Sequence, residues 1–275
     1  MKNHLCTLLL LLLFLPISLF AQTQIMSYNL RYNNPNDGEN WWEYRKGEVV
    51  KMIHHYDPAI MGIQEGLVAQ VNFLDTSLID YDYIGVGRDD GKTKGEYTAI
   101  FYKKEDFRVL ETQTYWLSDT PDEVSVGWDA AMERIVTYSA FENKQTKDTL
   151  HVLNAHFDHM GKLARAESAA LMLKIIKERA IEAEQIIVMG DLNCEPNEEP
   201  ITVLKTMLQD SYEISQRPPY GPVGTFNGFN PETIMDRRID YIFTKNIVVD
   251  QYRNIDDRRT NNLFPSDHLP VMIRL

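Results

Sequence analysis

Cysteine is scarce in this sequence: 275 residues hold two, and Cys6 lies within an N-terminal apolar run. If that run is removed on export, Cys194 stands alone and no internal disulfide can form. Stability then rests on a hydrophobic core, which a chain of this length can bury. Basic residues are also in short supply, with 28 Lys and Arg against 40 Asp and Glu, a formal charge of −12. Loss of Lys2 leaves 27 against 40, or −13. Such an excess disfavours sequence-independent attraction of long polyanions, although a local basic patch can still guide a nucleic-acid backbone. Several catalytic signatures are missing altogether. There is no HExxH and no Cys pair of the kind zinc sites use, no G-x-S-x-G turn for a serine nucleophile, and no Walker A loop. Neither an internal repeat nor a Pro/Ser linker follows residue 24, so a single domain spanning 22–275 is expected.

The N-terminus has its own logic. Lys2 supplies a short basic region, Leu5 to Phe20 an apolar run of 16 residues with Pro16 near its end, and Ala21 a small residue for cleavage. A membrane span needs roughly 20 apolar residues, so this run is expected to be a signal peptide over 1–21. No Cys follows it to carry a lipid anchor. The mature protein is expected to be secreted or periplasmic.

Beyond the leader, apolar periodicity predicts strands at 24–29, 59–64, 83–87, 98–102, 134–141, 150–156, 185–190, 238–244 and 270–275. It predicts helices over 44–56, stopped by Asp57-Pro58, and over 67–78. The longest helix is expected over 162–183, its apolar face holding Ala166, Ala169, Ala170, Leu173, Ile176 and Ala180. Strands outnumber helices and are often joined by short loops. That favours a mixed α/β layered fold with two facing sheets and helices outside.

Five polar clusters sit at or just after the end of an apolar strand: Ser27-Tyr28-Asn29, Gln64-Glu65, His156-Phe157-Asp158-His159, Gly190-Asp191-Leu192-Asn193 and Ser266-Asp267-His268. A sixth, Arg238-Ile239-Asp240-Tyr241, puts an Asp inside a strand. One strand-end Asp is usually a cap or a turn residue. Six clusters of oxygen- and imidazole-bearing residues suggest a site instead, because a rigid sheet fixes the position of whatever its strand ends carry. Asp240, flanked by Ile239 and Tyr241, needs a partner if buried, and His268 is the candidate. Donors that are mostly carboxylate and amide oxygens suit Mg²⁺, with Mn²⁺ as an alternative.

In this order, and above all in the combination of Gly190-Asp191-Leu192-Asn193 with Ser266-Asp267-His268-Leu269-Pro270, the chain resembles the endonuclease/exonuclease/phosphatase superfamily across its whole mature length. That resemblance implies a four-layer αββα sandwich and a Mg²⁺-dependent hydrolase of phosphate esters. It implies that Glu65 is the main metal ligand, with Asn29 and Asp267 beside the ion. Asp191 would orient or deprotonate the attacking water, and Asn193 and His156 would contact phosphate. His268, held by Asp240, would stabilise or protonate the phosphate oxygens. One position departs from the pattern: some members carry an acidic residue two places after the first Asn, where this chain has Arg31, which favours a single-metal site.

A narrower bacterial subgroup of poorly defined substrate is resembled by Trp116-Leu117-Ser118, Gly127-Trp128-Asp129-Ala130-Ala131, Asn154-x-His156-x-Asp158-His159 and Thr225-Phe226-Asn227-Gly228-Phe229. Arg134 then either contacts substrate or closes a structural salt bridge. Asp158, His159 and Arg165 are expected to brace the site. Trp128 and Phe226 either line the pocket or belong to the core. The substrate is expected to be a small soluble phosphoester rather than nucleic acid or phospholipid, and the enzyme a monomer without a stable protein partner. The alternative is a catalytically silent binding protein on the same fold. Cys194, next to Asn193, is expected to make the site sensitive to thiol reagents.

Overall fold

The computed structural model describes residues 23–275, and the expected signal peptide lies outside the described residues. Two six-stranded mixed sheets face each other. The first contains β1 (Gln24–Asn29), β2 (Ile60–Gln64), β3 (Tyr81–Ile84), β4 (Ile100–Lys103), β11 (Gln251–Asn254) and β12 (Val271–Arg274), in the order β11-β12-β1-β2-β4-β3. The second contains β5 (Phe107–Trp116), β6 (Ile135–Asn143), β7 (Thr149–His156), β8 (Gln185–Asp191), β9 (Gln209–Asp210) and β10 (Asp240–Lys245), in the order β5-β6-β7-β8-β10-β9. β1–β2 and β7–β8 pair parallel, and the remaining ladders are antiparallel.

Strand alternation builds the layers. Ile25, Ile60, Val152, Ile187, Met189 and Ile242 fill the space between the sheets, while their neighbours Met26, Met61, Leu153, Val188 and Tyr241 point outward. Helices α1 (Trp42–Tyr56) and α2 (Val68–Ser77) cover the first sheet through Val49, Ile53, Val71 and Leu74. Helices α3 (Lys162–Glu178) and α4 (Glu199–Lys205) cover the second through Ala169, Met172, Ile176, Ile201 and Leu204. A single turn, α5 (Ser211–Ile214), follows β9. The result is the helix–sheet–sheet–helix sandwich that the resemblance implied.

At one end of the sandwich the inner faces change character. Asn29, Gln64, Asn154, His156 and Asp191 have the same parity as the inward apolar residues of their own strands, so they point into the gap between the sheets. Asp240, at the start of antiparallel β10, does the same. Register then aligns them: Asp191 pairs with His156 on one side and Asp240 on the other. Asn154 ties the sheets together, donating from Nδ2 to the carbonyls of Ile63 (2.9 Å) and Ala99 (3.0 Å) and accepting from Gln64 Nε2 at 2.6 Å.

Some elements differ from the sequence reading. The strand expected at 83–87 sits two residues earlier, because Gly85 and Gly87 belong to the following turn. The strand expected from Arg238 begins at Asp240. The long helix stops at Glu178, and Ala180 lies in the left-handed region (φ 53°). Its buried stripe runs through Ala164, Arg165, Ser168, Ala169, Met172, Ile175 and Ile176, whereas Ala170 and Ala180 are exposed. Alanine marks a helix face poorly because it tolerates either side. β5, α4, β9, α5 and β11 were not expected. β5 is a sheet edge whose central residues, Arg108 to Thr114, are largely exposed and polar, so no alternation shows.

Candidate active site

Asp191 is the hub of the site. Its Oδ2 accepts a hydrogen bond from Asn29 Nδ2 at 2.9 Å and lies 3.6 Å from His156 Nε2 and 3.7 Å from His268 Nε2. Its Oδ1 accepts the backbone N–H of Asn193 at 2.9 Å. The same Asn29 amide donates to Glu65 Oε1 at 2.9 Å, and Glu65 Oε2 accepts the backbone N–H of Tyr32 at 3.0 Å. Asn29 therefore joins the carboxylates of the two sheets.

Local backbone chemistry makes these positions possible. Gly190 has φ 145°, and a Cβ there would fall 1.9 Å from the carbonyl oxygen of Ala155, so only glycine lets β8 run this close to β7. Arg31 (φ 56°), Glu65 (φ 61°) and Asn193 (φ 47°) are non-glycine residues in the left-handed region. Each costs on the order of 1 kcal/mol or more and persists because surrounding bonds over-determine it, a pattern that collects at functional sites.

Asp240 Oδ2 holds His268 Nδ1 at 2.8 Å, so the Nε2 edge of the ring is turned toward Asp191. Burial opposes the imidazolium, but the Asp240 and Asp191 carboxylates outweigh it and hold His268 well above its ordinary range. The loop that the sequence singled out as Thr225-Phe226-Asn227 clamps this pair. Thr225 Oγ1 accepts the N–H groups of Ile239 and Asp240 (both 3.1 Å), and Asn227 donates from Nδ2 to the carbonyl of Ser266 at 3.0 Å. His156 is the opposite case. Burial, with Arg134 and Arg88 nearby, pushes it well below its ordinary range and keeps it neutral. Asp191 is pushed up to about 7 by burial and by the charge of Asp240. Asp267 is pushed up to about 6, first by burial and then by Glu65.

The donor set fits a divalent cation. One ligand atom each from Glu65, His156 and Asp191 lies within 4.8 Å of the others, and the same holds for Asp191, Asp240 and His268. In the first group a neutral imidazole and two carboxylates converge. In the second, His268 is held protonated by Asp240 and Asp191 and has no lone pair to offer a cation. The first group is accordingly the better cation site, and a bound cation there would favour ionised Asp191.

Of the residues predicted for the site, Asn29, Glu65, His156, Asp191, Asp240 and His268 come together. Asp267 stands slightly apart: it falls outside both groups, and its Oδ2 faces Arg31 Nε at 3.8 Å. Arg31 also lies 4.0 Å from Glu65 and 3.1 Å from Asp37, so a fixed positive charge flanks the cation site. Asn193 donates its side-chain N–H to the carbonyl of Phe157 at 3.1 Å. Arg134 closes the buried salt bridge, Nε to Asp158 at 3.2 Å, and meets His159 Nδ1 at 2.8 Å, while its Nη1 is buried without a partner among the described residues. Asp158 accepts from the N–H groups of Met160 and Gly161, and Arg165 donates to the carbonyl of Asp158, so this trio braces the loop after β7. Phe226 packs edge-on to His268, with ring centres 5.1 Å apart, and stands at the site. Trp128 packs instead on the core beneath the second sheet. Cys194 is fully buried and its thiol is pushed up to about 12 by burial, which removes the expected reagent sensitivity.

Glu96 is a site residue the sequence did not disclose. Its carboxylate lies 3.6 Å from His156 Nδ1 and is gripped by Arg88 at 2.7 and 3.1 Å. It sits in a turn after Gly95, with no apolar strand before it to mark its place.

The model of the Endonuclease/Exonuclease/phosphatase family matches residues 26–268. An endonuclease/exonuclease/phosphatase family protein from Bacteroides thetaiotaomicron superposes with a TM-score of 0.88 at 38% identity, covering 92% of this chain and 97% of that one. A mannosyl-6-phosphatase from the same species superposes with a TM-score of 0.87 at 38% identity, covering 91% and 98%. An uncharacterized protein of Acanthamoeba polyphaga mimivirus is 26% identical over 251 residues, 84% of this chain and 91% of its own length. Matched from the third residue of its first strand to the histidine that Asp240 holds, the chain belongs to the endonuclease/exonuclease/phosphatase family.

Proposed function

We propose that the chain is an exported, Mg²⁺-dependent hydrolase of small soluble phosphoesters, with sugar phosphates as the favoured substrates and Mn²⁺ an acceptable substitute. The observation that carries this reading is the position of Asp191 Oδ2, bonded to Asn29 and within 4 Å of both His156 and His268. A carboxylate, a neutral imidazole and a protonated imidazole then surround one point.

Glu65, His156 and Asp191, with Asn29 and Asp267 beside them, would hold the cation, which would supply charge neutralisation for the phosphoryl group. The chain's own residues do the rest. Asp191 accepts a proton from water as the water oxygen bonds to phosphorus. His268, charged and oriented by Asp240, donates from Nε2 to the ester oxygen as its bond to phosphorus breaks. Asn193 orients the non-bridging oxygens, while His156 stays with the cation, its two ring nitrogens facing Asp191 and Glu96. Arg134, locked by Asp158, is a fixed positive charge that helps keep His156 neutral rather than a mobile clamp.

The substrate class rests on three supports. The net charge of −13 without the leader disfavours long nucleic acid. No described helix is long and apolar enough to cross a membrane, and the sequence offers no long aromatic hairpin for a lipid surface. The similar Bacteroides protein is a mannosyl-6-phosphatase. A silent binding protein is disfavoured because such proteins usually lose a metal ligand or the final Asp-His pair, and this chain keeps both.

The test is hydrolysis by residues 22–275 with Mg²⁺ and with EDTA, on plasmid DNA, sphingomyelin, bis(p-nitrophenyl) phosphate, and sugar and inositol phosphates. Mg²⁺-dependent turnover of sugar phosphates is expected. Silence across the panel, with Mg²⁺ binding shown separately, would favour the binding-protein reading.

A further inference from the structure

A cleft of about 490 Å³, lined by none of the residues that carry the hydrolytic chemistry, opens between two segments that are joined in sequence to the site. Its walls come from the two segments that flank the site. Pro35, Glu39 and Trp41 lie on the stretch between β1 and α1, Tyr44 in the first turn of α1, and Arg259 and Asn261 on the loop that leads into Asp267. These segments are tied to each other and to the site. Arg259 donates to the carbonyl of Glu39 at 3.1 Å and to the side chain of Asn40. Arg45 donates to the carbonyls of Leu30, Arg31 and Pro265. Asp37, on the same stretch, holds Arg31 against Glu65 and Asp267.

We infer that this cleft is a subsite for the sugar portion of the substrate. Trp41 and Tyr44 form an edge-to-face pair, with centres 5.6 Å apart and planes at 89°. Trp41 is fixed by its Nε1–H bond to Asn33 Oδ1 at 2.6 Å, whereas the Tyr44 ring is 66% exposed. An exposed ring beside a held one offers an apolar surface to the C–H face of a pyranose. Glu39 and Asn261, both exposed, and Arg259 supply acceptors and donors for its hydroxyls. Arg259 is 95% buried, and its Nε is without a partner among the described residues. A mixed lining of aromatic, amide, carboxylate and guanidinium groups suits a neutral polyhydroxylated ring better than a lipid chain or a nucleic-acid backbone.

This inference rests on the sugar-phosphate reading above, and the experiment separates the two. Steady-state kinetics would compare mannose 6-phosphate with p-nitrophenyl phosphate for the wild type, Tyr44→Ala and Tyr44→Phe, all with Mg²⁺. Tyr44 is exposed, so the variants are expected to fold. The ratio of kcat/KM for the sugar phosphate over that for the aryl phosphate is expected to fall about five- to tenfold in Tyr44→Ala, through KM, and to recover in Tyr44→Phe. An unchanged ratio, or an equal loss on both substrates, would overturn the subsite while leaving the sugar-phosphate reading intact. A wild type that cleaves p-nitrophenyl phosphate but no sugar phosphate would overturn both.

Discussion

Replacing Asp191 by Asn should stabilise the metal-free protein, and should do so more strongly as pH rises. The Asp191 carboxyl is fully buried and pushed up to about 7, against 3.8 in a solvated chain. The folded protein therefore binds this proton more tightly than the unfolded one. The group's contribution to stability is fully present below pH 4 and is lost as pH rises through about 7. At about 1.4 kcal/mol per pH unit between those limits, the upper bound of the loss is about 4 kcal/mol. Asn does not titrate, so the variant escapes this loss. It does give up one of two acceptor positions, now bonded to Asn29 and to the N–H of Asn193, at a roughly pH-independent cost of about 1 kcal/mol. Above pH 6.5 the loss of Asp191 also relieves part of the upward pull on His268, and the effect has the same sign. Thermal unfolding in EDTA, followed by circular dichroism from pH 4.5 to 8, should show the difference in Tm, variant minus wild type, climbing by on the order of 10 °C. Adding Mg²⁺ at pH 8 should reverse the ranking, because only the wild type gains a carboxylate ligand. A Tm difference that stays flat across this range would refute the claim that Asp191 is a desolvated carboxyl awaiting a cation.

Three further outcomes follow from the same geometry. His268→Ala should lower kcat by about 10²–10⁴ on whichever phosphoester proves to be cleaved, with an unchanged far-ultraviolet spectrum; retained turnover would remove the acid from the mechanism. Glu65→Gln should weaken Mg²⁺ binding at least tenfold by calorimetry, since it deletes one charge of a three-ligand site, and an unchanged affinity would place the cation elsewhere. Cys194 should remain unlabelled by a thiol reagent until the protein unfolds, so labelling at the native rate of an exposed thiol would contradict its burial.

The order of the elements was legible because β1, β2, β7 and β8 are buried on both faces and read as short continuous apolar runs. Within each run, alternate residues still face opposite sides of the sheet. The same alternation explains why six polar clusters converge. Asn29 stands four residues after Ile25, and Asp191 four after Ile187, so each must share the inner face of its strand. β5 and β11 were not legible, because one is a polar edge and the other, Gln251–Asn254, carries a single apolar residue, Tyr252. Glu96 escaped for a different reason. Its place beside His156 depends on how the turn after β3 folds back toward the second sheet, and no local pattern records that. Whether Arg134 served substrate or structure was likewise undecided by sequence, since only the packed structure shows Asp158 1% exposed and bonded to it.

Arg31 shows where the two kinds of information meet. The sequence marks it only as a basic residue where some members of the family carry an acid. In the fold its guanidinium stands between Asp37, Glu65 and Asp267, at 3.1, 4.0 and 3.8 Å. Three carboxylates crowded at one edge of the site repel one another, and a permanent cation held in their midst offsets that repulsion without occupying the Glu65–His156–Asp191 group. On the single-metal reading, this fixed charge would repel a second divalent ion from the Asp267 side. Arg31 would then supply the charge balance that a second acid with a second metal would provide, using a side chain the protein never has to acquire from solution.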